Sequence, residues 1–237
     1  MADKVAVYSG TRNVYPQMYV SLKSLLINTE MDRVYLLIED DEFPFPIPEN
    51  VFTINVSNQE FFEPGSPHYH SDYSYMELLR CALSIILKDE DKVLWLDIDT
   101  IINDDISDLF EMDMRGFLYA GTIEPKKCNG IFTYINVGVC LCNLGLLRDM
   151  HKEYELIGFL NQYEYVWPGQ DVINLLCQGG IRTFGSEYNS NAFVLPCSRP
   201  RVIHYAAIKA SEYKNHWAYK KYEQFILPLV DKGGEEE

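Results

Sequence analysis

Two carboxylates one residue apart, Asp97-Ile98-Asp99, stand directly after the apolar run Val93-Leu94-Trp95-Leu96. Such a run reads as a short buried strand, which puts both acids at a sheet's ligand edge, where like charges repel. A hard divalent cation with oxygen ligands would relieve that repulsion; a helix-capping or structural role is the alternative. The spacing alone is weak evidence, since Asp89-Glu90-Asp91 repeats it in a polar stretch that reads as a solvated turn. His204 closes a second apolar run, Val202-Ile203, and Lys209 lies five residues on. A histidine beside apolar residues is more often structural, yet a His and a Lys bracketing one loop could supply a metal ligand and a phosphate counter-charge.

Three further candidates each carry two readings. Asn136-Val137-Gly138 breaks an apolar strand with a polar side chain and a flexible residue, as a bulge or a ligand-facing site would. Gln170-Asp171 opens a helix, where an acid is favoured electrostatically in any case. Arg80 lies inside an apolar helical pattern and, if buried, needs a carboxylate partner or a ligand.

The elements that must position these residues follow from periodicity. Lys4–Tyr8 alternates and breaks at Ser9-Gly10-Thr11, a strand running into a tight loop. Pro16 suits the start of a helix whose apolar spacing runs from Met18 to Ile27. Arg33–Ile38 and Val51–Val56 read as strands on either side of a proline-rich loop. Helices are expected over Tyr75–Leu87, near Leu144–Asn161 and from Gly169, with strands at Val93–Leu96, Ile135–Leu141 and Val202–Tyr205. Strands alternating with helices predict an α/β fold with a Rossmann-like mixed, mostly parallel sheet flanked by helices. Ligands of such sheets collect outside the carboxyl ends of the strands, where the Ser9–Asn13 loop and the Asp97–Asp99 turn both fall. No internal boundary interrupts residues 1–237, so one domain is expected, with a nucleotide-binding part to about residue 105 and an acceptor and closing part from there on.

A formal charge of -15 argues against nucleic acid or anionic lipid as the main partner. It also means that an anionic substrate needs a metal or a local cationic patch. Met1-Ala2-Asp3-Lys4 has no apolar signal core and no stretch reaches transmembrane length. The six cysteines form no Cys-x-x-Cys pair, and Cys140 and Cys142 share one face of an apolar run as buried thiols. Together these point to a reducing cytoplasm. Oligomeric state is left open.

In order along the chain, these pieces resemble the retaining glycosyltransferases of family eight, which include bacterial lipopolysaccharide galactosyltransferases and glycogenin. Val7–Tyr15 looks like the opening strand and uridine-binding loop, and Ser74–Leu83 like the helix that carries an Arg near the sugar. Leu94–Asp99 resembles the metal-binding signature, Tyr134–Val139 the sugar-facing strand, and Gly169–Asn174 the helix motif after it. Val202–Tyr205 with Lys209 looks like the closing metal and pyrophosphate loop.

The resemblance implies a GT-A type fold, a UDP-sugar donor, and Mn²⁺ or Mg²⁺ held by Asp97, Asp99 and His204. It implies a donor seat formed by Tyr8, Ser9, Gly10, Thr11, Asn13, Tyr15, Ile98 and Lys209, with Tyr8 or Tyr15 as a stacking face. Arg80, Asn136, Gln170 and Asp171 become the catalytic, sugar-side groups, with Gln170 nearest the anomeric carbon. An amide is a poor nucleophile, so same-face attack through an oxocarbenium-like state is expected rather than double displacement. The acceptor would be a glycan, a lipid-linked sugar or a protein. A self-glycosylating primer enzyme, a nucleotide-sugar hydrolase and a non-catalytic metal or carbohydrate-binding module compete with this reading.

Two departures from the family pattern stand out. Gly169 occupies a position that is often Asp, and Ala206-Ala207-Ile208-Lys209 stands where a Gly usually precedes Lys-Pro-Trp. A basic, aromatic extension like that of some bacterial relatives is not expected, and Trp217–Tyr222 is expected as a small amphipathic helix. Glu124–Thr133 and Ser57–Asp72, with His68 and His70, are the segments expected to form acceptor or lid regions.

Overall fold

The computed structural model describes residues 3–69, 74–128 and 132–230; His70 and Asp72 lie outside them. Alternating apolar residues build β1 (Val5–Ser9), and Pro16 presets the first turn of α1 (Tyr15–Asn28). β2 (Arg33–Ile38) and β3 (Val51–Asn55) follow, then α2 (Ser74–Leu78), α3 (Leu83–Ile86), β4 (Lys92–Leu96) and β5 (Thr100–Ile102). After α4 (Ser107–Phe110) come β6 (Tyr119–Ile123), β7 (Ile135–Asn143), α5 (Leu144–Asp149), α6 (Lys152–Gln162) and α7 (Pro168–Leu176). β8 (Ile181–Phe184), β9 (Val202–His204) and α8 (Tyr219–Val230) complete the chain.

Seven strands form one sheet in the order β3-β2-β1-β4-β7-β6-β8. Only β7 runs antiparallel to its neighbours, β4 and β6, so the sheet is mixed and mostly parallel, as expected. Both faces are covered. Val5, Val7, Val93 and Trp95 face one apolar layer, while Ala6, Tyr8, Leu94 and Leu96 face the other. A strand buried on both faces reads as a continuous apolar run, which is the pattern of β1 and β4.

The β6–β7 register jumps from Gly121↔Cys140 to Thr122↔Asn136, leaving Val137, Gly138 and Val139 without partners on β6. Across this bulge the period-two alternation changes phase. Ile135 and Val137 face one layer, Val139 the other, and Cys140 and Cys142 face the first again. All six cysteines are free.

A separate two-stranded sheet pairs β5 with β9, placing Thr100 opposite His204. Beneath it Tyr205, Tyr213 and Tyr222 form an aromatic cluster that packs α8 against α1. No helix among the described residues is long and apolar enough to cross a membrane.

Two expected helices are broken. Leu79–Cys81 is a 3-10 turn inside Tyr75–Leu87, where the Arg80 guanidinium is drawn across to β4 and β7. Leu144–Asn161 divides at His151, whose φ of 52° is left-handed. Nor is Asp89-Glu90-Asp91 a solvated turn throughout. Glu90 is buried and accepts from Arg33 and Tyr35, and Asp91 pairs with Arg148.

Candidate active site

At the carboxyl ends of β1 and β4 lies a cavity of about 650 Å³, a size suited to a small-molecule ligand. Asp97 and Asp99 leave the end of β4 into it. The antiparallel β5–β9 pairing delivers His204 to the same point, and Tyr205 N–H donates to Asp99 O at 2.9 Å. One ligand atom from each of Asp97, Asp99 and His204 lies within 4.8 Å of the others.

The outer atoms of His204 and Asp97 are already engaged. His204 Nδ1 meets Asn189 Oδ1 at 2.8 Å, and Nε2 faces Asp99 Oδ1 at 3.2 Å and Asp97 Oδ2 at 3.8 Å. Because Asn189 Nδ2 donates to Asn136 Oδ1, its Oδ1 must accept, which puts the proton on His204 Nδ1 and leaves Nε2 with a lone pair. Asp97 Oδ1 accepts from Trp95 Nε1 at 2.7 Å and Arg80 Nη2 at 3.0 Å, freeing Oδ2 for the cluster. Burial alone would raise the Asp99 pKa, but a protonated His204 beside it outweighs this and holds the carboxyl below its ordinary value; a dication at Nε2 would take the place of that proton. Two carboxylates and an imidazole, with Asp97 and His204 oriented from behind, suit a dication that accepts oxygen and nitrogen ligands.

Gly138 is what admits this geometry. A Cβ there would lie 2.2 Å from His204 Cε1 and 2.8 Å from Asp97 Oδ2, so the bulge carries a residue without a side chain at the point where β7 passes the cluster.

The other expected residues divide into three groups. Ser9, Gly10, Thr11, Asn13, Ile98, Arg80, Asn136, Gln170 and Lys209 all line the cavity. Ser9 Oγ donates to Met76 O at 2.8 Å, fastening the first loop to α2, and Thr11 donates to Asn13. Arg80 is buried and lies over the Trp95 ring, with Nη1 on Val137 O at 2.9 Å. Gln170 is held by both ends of its amide: Oε1 accepts from Val137 N–H, and Nε2 faces Glu124 Oε1 and Tyr134 Oη at 3.2 Å each.

Asp171 is not among the residues that line the cavity. It accepts from Trp167 N–H at 2.8 Å and from Tyr134 Oη, so it positions Tyr134 and does not face the ligand space.

Tyr8 and Tyr15 correct the expectation of a stacking face. Tyr8 is fully buried on the α1 side with its hydroxyl against Ser21, and Tyr15 packs on Phe43 and bonds Asp40 and Glu39 N–H. Neither ring lines the cavity.

Sequence reasoning named Glu124 and Lys127 only as part of the segment Glu124–Thr133, and it missed Asn189, Trp167 and Phe193. Glu124, which accepts from Asn136 Nδ2 at 2.7 Å, follows the apolar run Tyr119–Ile123 much as Asp97 follows its own strand. Asn189 sits in the polar stretch Asn189-Ser190-Asn191 just before β9. Trp167 and Phe193 face each other across the rim with centroids 6.4 Å apart, and both line the cavity together with Lys127. Of the two expected acceptor or lid segments, Glu124 and Lys127 line the cavity, but no described residue of Ser57–Asp72 does. His68 is buried, and its Nε2 accepts from Tyr165 N–H at 3.0 Å, a structural fastening. In the closing loop Ala207 has φ 61°, left-handed backbone that strains a residue with a Cβ.

Comparison with known proteins adds to this picture. The family model for glycosyl transferase family 8 matches residues 6–211. A putative glycosyltransferase of Haemophilus influenzae is 24% identical over 208 residues, covering 77% of this chain and 62% of its own length. Glycosyltransferase GlyE of Streptococcus pneumoniae is 26% identical over 203 residues, covering 78% of this chain and 47% of its own. The chain thus spans less than two thirds of the length of these curated relatives. Among solved structures, the galactosyltransferase LgtC in complex with donor and acceptor sugar analogues superimposes with a TM-score of 0.67 at 20% identity, covering 94% of this chain and 95% of that one. The bifunctional glycosyltransferase WbbM reaches 0.76 at 14% identity, covering 95% and 50%. These likenesses show the GT-A type fold.

Proposed function

The chain belongs to glycosyl transferase family 8, and from that premise we propose that it is a metal-dependent, retaining enzyme that moves a hexose from a UDP-sugar to a glycan, lipid-linked or protein acceptor. The observation that carries this reading is the Asp97, Asp99 and His204 cluster inside the cavity that Gln170 and Lys209 also line.

Asp97 Oδ2, Asp99 and His204 Nε2 are the atoms that would hold Mn²⁺ or Mg²⁺. A bound dication supplies Lewis-acid neutralisation of the charge that develops on the leaving diphosphate. Lys209, exposed at the cavity edge, adds a counter-charge, and together these seat an anionic donor in an acidic protein. The Ser9–Asn13 loop holds the nucleoside through its hydroxyl and amide groups. In this reading the part of the chain up to about residue 105 seats the donor, and the remainder supplies the acceptor contacts and the closing loop.

Retention needs either a carboxylate nucleophile or attack on the face the leaving group vacates. Glu124 is buried beneath Asn136 and Gln170, whose amides occupy one of its oxygens, and Asp171 does not line the cavity and is taken up by Trp167 N–H and Tyr134. Both observations favour same-face attack. Gln170, fixed from three sides, orients the sugar, and the leaving phosphate takes the acceptor's proton. The acceptor enters over the Trp167 and Phe193 rim, where aromatic rings suit a sugar face.

The deciding experiment incubates purified protein with a panel of UDP-sugars in Mn²⁺ and in chelator. Metal-dependent release of UDP from one donor, lost in Asp97→Ala and Asp99→Ala, is expected. No turnover and no metal-dependent UDP binding would refute the reading.

A further inference from the structure

Arg80 leaves one of its partners incompletely bonded. Its Nη2 contacts Asp97 Oδ1 at 3.0 Å and Glu77 Oε1 at 3.3 Å, so a single guanidinium nitrogen sits between a cluster carboxylate and a second carboxylate on α2. Glu77 lines the cavity with 21% of its side chain exposed, yet its Oε2 is sealed from water with no hydrogen-bond partner. Asp97, by contrast, accepts from both Trp95 and Arg80. A carboxylate left short of donors is costly, and because the side chain is part-exposed in the cavity wall, a turn about its broad terminal torsion would present an oxygen to a hydroxyl of a bound ligand.

Arg80 is also packed closely against Gly169. A Cβ at Gly169 would stand 3.3 Å from Arg80 Cδ and Nε, so the side chain of Arg80 lies against the first turn of α7 with nothing projecting from position 169 beside it. The carboxylate that α2 presents next to Arg80 therefore has no counterpart from α7 at that position. In the donor-site reading, on which this inference rests, the Asp97, Asp99 and His204 cluster lies at the diphosphate. The diphosphate joins the sugar to the nucleoside, and Arg80 sets the side on which Glu77 falls: it also packs against Gly169 beside Gln170 and donates to Val137 O, residues that in this reading face the sugar.

We propose that Glu77 recognises the donor sugar: its carboxylate accepts a hydrogen bond from one hydroxyl of the hexose being transferred, and so helps to select which UDP-sugar is used. Arg80 holds the carboxylate in place, and Gly169 leaves Arg80 room to do so.

The test compares wild type with Glu77→Ala and Glu77→Gln by titration calorimetry in Mn²⁺. The ligands are UDP, UDP-galactose, UDP-glucose, and monodeoxy analogues of whichever sugar binds more tightly. UDP affinity is expected to stay within about twofold of wild type, while the parent UDP-sugar weakens on the order of ten- to hundredfold in Glu77→Ala, as for loss of a hydrogen bond to a charged group. One deoxy analogue should be weakened to a similar degree in wild type, and Glu77→Ala should bind that analogue and the parent equally. Glu77→Gln, which keeps the shape, should fall between. Equal weakening of UDP and UDP-sugar would overturn the proposal, because it would mark Glu77 as a support for Arg80 and Asp97 only. So would a Glu77→Ala variant that discriminates among the deoxy donors as wild type does, or one that changes only the KM of the acceptor. A wild-type protein that binds no UDP in Mn²⁺ would instead remove the donor-site reading itself.

Discussion

Replacing Gly138 by alanine adds one methyl group at the centre of the site. The new Cβ would sit 2.2 Å from His204 Cε1 and 2.8 Å from both His204 Nδ1 and Asp97 Oδ2. Ordinary carbon contacts are about 3.5–4.0 Å, so the imidazole must retreat by more than about 1 Å or β7 must move. His204 has little room to retreat, being buried, tied to Asn189 through Nδ1 and backed by β5. Metal–ligand distances tolerate only about 0.2 Å, so the displacement removes His204 from the set of ligands even if the chain folds. We expect Gly138→Ala to cost about 1–3 kcal/mol of stability by overpacking and to weaken Mn²⁺ binding by at least about a hundredfold. Free Mn²⁺ measured by electron paramagnetic resonance during titration reads the affinity, and circular dichroism confirms that the variant is folded. A folded Gly138→Ala protein with wild-type Mn²⁺ affinity would show that the three residues do not form the metal site.

Three other outcomes follow from the same geometry. Asn189→Ala should weaken Mn²⁺ binding about ten- to hundredfold in the same titration, because His204 loses the acceptor that fixes its tautomer. Tyr134→Phe removes the hydroxyl that Gln170 and Lys127 donate to and that donates to Asp171, so kcat should fall more than the donor KM rises, read by steady-state UDP release. Glu77 gives a pH dependence: burial, partly offset by Arg80, pushes its carboxyl from 4.5 up to about 7. The folded protein then binds that proton more tightly than the unfolded chain, so stability is fully present below 4.5 and declines as pH rises through 7. At pH 8 the cost is at most about 3 kcal/mol by linkage, and Glu77→Gln, which never ionises, should be more stable relative to wild type at pH 8 than at pH 5 in urea titrations. A difference that does not change with pH would contradict the burial of that carboxylate.

The local pattern was sufficient for much of the framework. Apolar alternation ending in Ser9-Gly10-Thr11 located β1 and its loop, and Arg33–Ile38 matches β2 at both ends. An acid pair directly after Val93–Leu96 reads as a strand end at the ligand edge because burial of a parallel strand requires an unbroken apolar run. Asn136-Val137-Gly138 is legible as a disturbance for a similar reason, since a polar residue and a glycine have no place inside such a run unless the ladder is interrupted there. The periodicity of one strand carries no information about which of two covered faces opens to the cavity. Tyr8 and Tyr15, reasonable stacking candidates from their position beside the loop, consequently turn into the core.

What only the tertiary structure decided are the contacts made across the sheet ends. His204 reaches Asp97 and Asp99 because β9 pairs with β5 in one register; a shift by one residue would turn its ring to the other side. Glu124, Asn189 and Glu77 come from three separate segments and gain their roles only when β6, the loop before β9 and α2 meet around the cavity. Composition and spacing specify elements because those depend on neighbours along the chain. The site depends on neighbours in space, and the side chains that orient its ligands are ordinary polar residues until the fold brings them within hydrogen-bonding distance.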